Sequence, residues 1–191
     1  MLKTKLAAGV LAFSTLFVGA VPAYAASAAQ ATGTLGVPAT ALAVPGTLSE
    51  DEGAALLFMR EEEKLAHDVY VTLYDQWGLR VFRNIAASEQ KHTDAVAALL
   101  DAYGLEDPTV GNAVGEFTNP ALQALYDDLV AQGSVSAAEA LKVGVTIEEL
   151  DIADLEQRIA ETDNADIQLV YRNLLAGSAN HLRAFSSTLR R

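Results

Sequence analysis

Glu89 and His92 stand three residues apart in a stretch that carries the apolar period of a helix. At 3.6 residues per turn both side chains project from the face that also bears Ile85, Val96, Leu99 and Tyr103. An ionised carboxylate on such a face costs several kcal/mol unless a cation or a hydrogen-bond network compensates it. A metal ion is the simplest such cation. A single Glu-x-x-His recurs by chance, so a metal site needs what other segments bring to the same place.

They bring acids and imidazole. Glu63 falls on a stripe with Leu56, Met59, Ala66, Tyr70, Tyr74 and Trp77. His181 shares a second stripe with Tyr171, Leu174 and Ser178, and Glu148 and Glu149 lie near the middle of a third helical stretch. Converging carboxylates and imidazoles of this kind make a two-metal arrangement, with one Glu from each of two helices and a Glu-x-x-His from each of the other two. The competing account is a set of hydrogen-bonded core histidines whose acidic neighbours are neutralised by Arg60, Arg158 and Arg183.

The elements that must position these groups are helices. Ser49 and Glu52 form a capping box, from which a first helix runs to Trp77 and stops at Gly78. A second spans Phe82 to Tyr103 and stops at Gly104; the short connection makes it an antiparallel neighbour of the first. Asn119 and Pro120 open a short amphipathic helix through Leu122, Leu125, Tyr126 and Leu129, closed by Gly133. Ser136 and Glu139 cap a third long helix to about Glu161, and a fourth follows Thr162-Asp163-Asn164 through Phe185. No stretch has a strand period. The segment between the second and third long helices is far longer than a turn needs, so it can travel back along the molecule and let the third start from the same end as the second. The expectation is an all-α fold, a four-helix bundle with a long crossover that contains a short helix.

Composition narrows the chemistry further. The chain has no cysteine, which excludes disulfides, thiolate metal sites, iron–sulfur clusters and cysteine nucleophiles. Met1-Leu2-Lys3-Thr4-Lys5, an apolar run to about Pro22 and Ala23-Tyr24-Ala25 have the order of a secretory signal peptide over residues 1–25, cleaved after Ala25. Residues 26–47, rich in Ala, Ser, Thr, Gly and Pro and free of charge, read as a flexible linker to a domain over 48–191. Removing Lys3 and Lys5 from the 13 basic residues leaves 11 against 25 acidic ones, a net charge of −14. Such a chain repels nucleic acid and anionic membranes and attracts cations. The expected location is extracytoplasmic, in the envelope or secreted, with no membrane contact after signal cleavage.

The stretch from Leu48 to Leu189 resembles the ferritin-like di-iron carboxylate superfamily, and looks most like a bacterial and archaeal branch of it, DUF2202. Glu63 with Ala66 and Tyr70 is similar to the first-helix pattern of ferritins and rubrerythrins, Glu89-Gln90-Lys91-His92 to their second-helix Glu-x-x-His, and Glu149-Leu150-Asp151 to the third-helix metal Glu of bacterioferritins. Asn180-His181-Leu182 falls where the second Glu-x-x-His places its His. The resemblance implies a ferritin-like four-helix bundle holding iron, as a pair or a single ion, or manganese, at Glu63, Glu89, His92, Glu149 and His181. On the third long helix, periodicity places Glu148 nearer the centre of the stripe, whereas the family pattern favours Glu149, and Glu149 is taken as the ligand. Ser178 stands where the pattern has a bridging Glu. Three arrangements remain open: two metals bridged by Glu89 alone, one metal near Glu63, Glu89 and His92, or a site completed by another acid such as Glu156.

Two functions follow. One is a redox-active metal protein with ferroxidase, peroxidase or oxygenase chemistry, which would need an external electron donor because the chain has no cysteine ligands for one of its own. The other is a non-catalytic exported helical module for partner binding or stress protection. A homodimer is compatible with either, and a storage cage is disfavoured by the exported, tailed architecture.

Overall fold

The computed structural model describes residues 47–191. The signal expected over residues 1–25 and, but for Thr47, the linker expected over 26–47 lie outside the described residues. Those described form five helices and no strand: α1 (Glu50–Trp77), α2 (Arg80–Tyr103), α3 (Pro120–Gly133), α4 (Ala137–Glu161) and α5 (Ala165–Leu189). Among them, no helix is long and apolar enough to cross a membrane.

The helix boundaries follow local chemistry. Ser49 Oγ accepts from the Glu52 backbone N–H while the Glu52 carboxylate accepts from the Ser49 backbone, closing the capping box of α1. Gly78, at φ 65°, ends α1 in the left-handed region, and α2 begins at Arg80, two residues earlier than the apolar pattern starts. Asn119 caps α3 through the N–H groups of Ala121 and Leu122, with Pro120 in the first turn, and Ser136 caps α4 through Glu139 N–H.

α1 packs mainly on α2 and α4 mainly on α5, with further contacts between α2 and α5 and between α1 and α4; α3 lies against α1 and α4. Leu73 of α1, Phe82 and Ile85 of α2, Val143 of α4 and Phe185 of α5 share one apolar cluster. Met59, Val96, Leu155 and Leu174 share another. The C-terminal half of α1 thus meets the N-terminal halves of α2 and α4 and the C-terminal half of α5, so α4 starts from the same end as α2. The chain between them makes the return journey, and polar groups of α1 hold it in place. Glu61, two residues before Glu63, is buried and accepts the backbone N–H of Thr118 at 2.5 Å and of Asn119 at 3.1 Å. A carboxylate at that point also faces the positive end of α3. Asp68 accepts Gly115 N–H at 2.9 Å and pairs with Lys64, which reaches Ala113 O at 2.8 Å.

Candidate metal centre

Between the two apolar clusters runs a belt of buried polar side chains flanked by apolar neighbours on their own helices. Glu63 follows Met59 on α1, Glu89 and His92 separate Ile85 from Val96 on α2, Glu148 follows Ile147 on α4, and Ser178 and His181 separate Leu174 from Phe185 on α5. Glu63, Glu89 and Glu148 are each only 1% exposed. The belt brings together Glu63, Glu89, His92 and His181 as the sequence suggests. It does not include Glu149, which is exposed; the acid that α4 sends to the belt is Glu148. Adjacent helical residues point about 100° apart, so one register step exchanges core for solvent. Glu156 is likewise exposed.

Glu89 is the shared member. Its Oε2 lies 2.8 Å from His92 Nδ1 and its Oε1 lies 2.7 Å from His181 Nδ1. His92 Nδ1 is also 3.3 Å from Glu63 Oε2, and His181 Nδ1 is 3.5 Å from Glu148 Oε2. Two triads result, Glu63–Glu89–His92 and Glu89–Glu148–His181, with the ligand atoms within each no more than 4.8 Å from one another. The imidazoles stack with ring centroids 5.4 Å apart.

These approaches are close contacts without hydrogen-bond alignment. Glu63 Oε1, Glu89 Oε1, His92 Nδ1 and His181 Nδ1 are all buried and have no hydrogen-bond partner. Orphaned buried polar atoms are costly, and four in one belt call for a common partner. Ligands on adjacent positions of one ion, with bonds of about 2.1 Å, stand roughly 3 Å apart, which matches the spacing of nitrogen and oxygen here. The donor set, carboxylate oxygen and imidazole nitrogen, suits iron, manganese and similar divalent ions. The arginine account finds no support among the described residues: Arg60 pairs with Asp107 at 2.8 Å, Arg158 with Glu161 at 3.1 Å and Arg183 with Asn180.

Outer partners orient the donors. His181 Nε2 lies 2.9 Å from Ser88 Oγ, which leaves Nδ1 turned to the belt. Tyr70, on the same stripe of α1 as Glu63, donates its hydroxyl to Glu148 Oε1 at 2.7 Å. Removing that donor in Tyr70→Phe leaves a buried carboxylate oxygen unsatisfied. Denaturant unfolding of the metal-free protein should report a loss of about 1–3 kcal/mol, and an unchanged midpoint and slope would refute the bond's importance. His92 rests on Gly177: a Cβ built there would stand 2.5 Å from its Nε2 and 2.7 Å from its Cε1. Gly177→Ala should strengthen α5 locally, since Ala is the better helix former by about 1 kcal/mol, yet push the imidazole out of position. The expected outcome in a metal titration is about tenfold to 100-fold weaker binding with helicity intact; undiminished affinity would show that His92 can move freely.

Without metal, the belt distributes charge in a definite way. Burial pushes Glu63 up, with the negative charge of Glu89 adding to it and His92 opposing, to about 7; burial and Glu89 likewise take Glu148 to about 7 against the pull of His181. Burial also acts to raise Glu89, but the contacts with His181 and His92 outweigh it and hold the carboxyl near 2. Burial acts to lower both imidazoles, and the carboxylates beside them prevail, raising His92 to about 10 and His181 to about 9. His67 stands apart, pairing with Asp68 at 2.9 Å beside a surface cleft of about 240 Å³ that Arg60 and Gln90 also line.

Four long helices enclosing buried carboxylates and imidazoles that could hold metal ions define the class: an all-α protein with a candidate metal centre. The chain belongs to the DUF2202 family, described as an uncharacterized protein domain, whose model matches residues 52–191. It is 56% identical over 138 residues to uncharacterized protein MJ0754 of Methanocaldococcus jannaschii, covering 72% of this chain and 75% of that protein. The crystal structure of hypothetical protein MJ0754 superposes with a TM-score of 0.75 at 54% identity, covering 76% of this chain and 83% of that one.

Proposed function

We propose that this is an exported ferritin-like protein that binds two iron or manganese ions in its helical core and carries out redox chemistry with them. The observation that carries the reading is Glu89, whose two carboxylate oxygens face two different imidazoles at 2.8 and 2.7 Å, with their facing nitrogens orphaned. Glu89 would be shared by the two ions, Glu63 and His92 serving one and Glu148 and His181 the other. Such a pair, when bound, supplies one-electron steps toward dioxygen or peroxide. The chain's own part is to fix the donors: Ser88 orients His181, Tyr70 holds Glu148, and the two apolar clusters keep bulk water from the belt. With no cysteine, electrons must come from an outside reductant.

The test is elemental analysis of the chain from Ala26, purified without chelator and reconstituted anaerobically with ferrous iron, followed by absorbance after oxygen is admitted. About two irons per chain with an oxidation-linked band support the proposal. No bound metal would return the chain to the alternative of a non-catalytic helical module. Export is tested separately, by N-terminal sequencing of the protein recovered from the envelope and the medium; a chain beginning at Met1 in the cytoplasm would refute it.

A further inference from the structure

Asp151 belongs to neither triad. It lies one turn beyond Glu148 on α4 and is only 6% exposed, in a helix whose flanking acids Glu149 and Glu156 are exposed. Its Oδ1 is buried without a hydrogen-bond partner, as are the metal-facing atoms of Glu63 and Glu89. It lines a small cavity with Glu62 and Ile147, and the belt acids Glu63, Glu89 and Glu148 all act on its charge, Glu63 most strongly of the three, with the Ser178 hydroxyl beside it. Ser178 is fully buried on α5, three residues before His181, and donates to the Leu174 carbonyl at 3.0 Å. A neutral hydroxyl committed to its own helix cannot balance a second positive ion, and the triad Glu63–Glu89–His92 offers only three protein donors. An unpaired carboxylate at this depth is otherwise a pure cost.

We infer that Asp151 is an additional metal ligand, reaching from α4 to the position held by Glu63, Glu89 and His92 and supplying the carboxylate that α5 lacks at Ser178. The inference rests on the two-metal reading above. It relocates one acidic ligand from α5 to α4 while keeping the count of carboxylates in the belt at four.

The experiment titrates Mn²⁺ into the full chain and follows loss of the aqua-ion electron paramagnetic resonance signal, with circular dichroism as the check on folding. Wild type is expected to take two ions. Asp151→Asn, close in shape, is expected to keep its helicity and bind the second ion about 100-fold more weakly. The double variant S178E/D151N, which returns the carboxylate to α5, should take two ions again. Two ions at wild-type affinity in Asp151→Asn overturn the role of Asp151 and leave the two-metal reading standing. No ion in wild type overturns both. A double variant that still binds only one ion assigns the loss to packing and overturns the inference; if Asp151→Asn does not fold, the double variant decides alone on the same criterion.

Discussion

Glu89→Gln is expected to abolish tight binding of both ions, lowering affinity by well over 100-fold, while substitution at either terminal acid removes one ion. The amide keeps the shape of the carboxylate and so leaves the packing of Ile85 and Val96 on either side undisturbed. It takes away the one negative group that lies against both imidazoles, 2.8 Å from His92 and 2.7 Å from His181. A change in the outer partners of a metal ligand already costs tenfold to 100-fold, about 1.4–2.8 kcal/mol, and loss of a shared ligand exceeds that. The metal-free variant should unfold at lower denaturant than metal-free wild type, because Glu89 is held near 2 by the imidazoles and carries their charge balance. Isothermal titration with Mn²⁺ and a denaturant curve on the same samples separate the two effects. Retention of two ions per chain would remove Glu89 from the centre of the site.

Chelation should lower the melting temperature, and the drop should widen as pH rises from about 5 to about 9. Ions present at a thousand times their dissociation constant stabilise the folded state by about 4 kcal/mol. For a folded part of this size that is roughly 8–16 °C in melting temperature. The pH dependence follows from proton binding in the metal-free belt. Glu63 and Glu148 titrate near 7 when folded against an ordinary 4.5, so the folded state holds extra protons between those values and loses stability as pH rises through them. His92 and His181, raised to about 10 and about 9, contribute stability fully below 6.5 and lose it as pH climbs through those folded values. Glu89 runs the other way: its contribution is complete above 4.5 and disappears as pH falls toward 2. Metal binding needs these ligands deprotonated, so the ions gain affinity over the same range in which the metal-free protein weakens. The difference between chelated and loaded melting curves cancels what the surface charges do. A gap independent of pH, or none at all, would leave the orphaned donors without the partner proposed for them.

The positions that proved hardest to read lie on α4. The buried residues of α2 and α5 form narrow stripes, and Glu89, His92 and His181 interrupt them at unambiguous places; any helix packed on those stripes must bury them. On α4 the helical period favours Glu148, which shares the buried arc with Ala140, Gly144 and Ile147, and it is the resemblance to the third-helix metal Glu that points to Glu149. The seating of α4 against α1, α3 and α5 together decides which partners Glu148 meets, and that is a property of packing between segments distant in the chain. Tyr70 and Glu148, 78 residues apart, meet only because that seating is in register.

The five helices, their caps and the long return between α2 and α4 are local matters, written in side-chain period, Ser and Asn caps, and stops at Gly78 and Gly104. Four of the five site residues named from the sequence are also local matters, since a charged group on an apolar stripe declares itself. The remaining features depend on the third dimension. Glu61 is buried because the crossover folds back over it, Asp151 is buried because α4 turns it toward Ser178, and Glu89 lies between two imidazoles because α2 meets α5 at that level. Helical period tells which face a side chain takes within its own helix, but the partner it meets there depends on the height and rotation of another helix, and these are settled by the packing of the whole core.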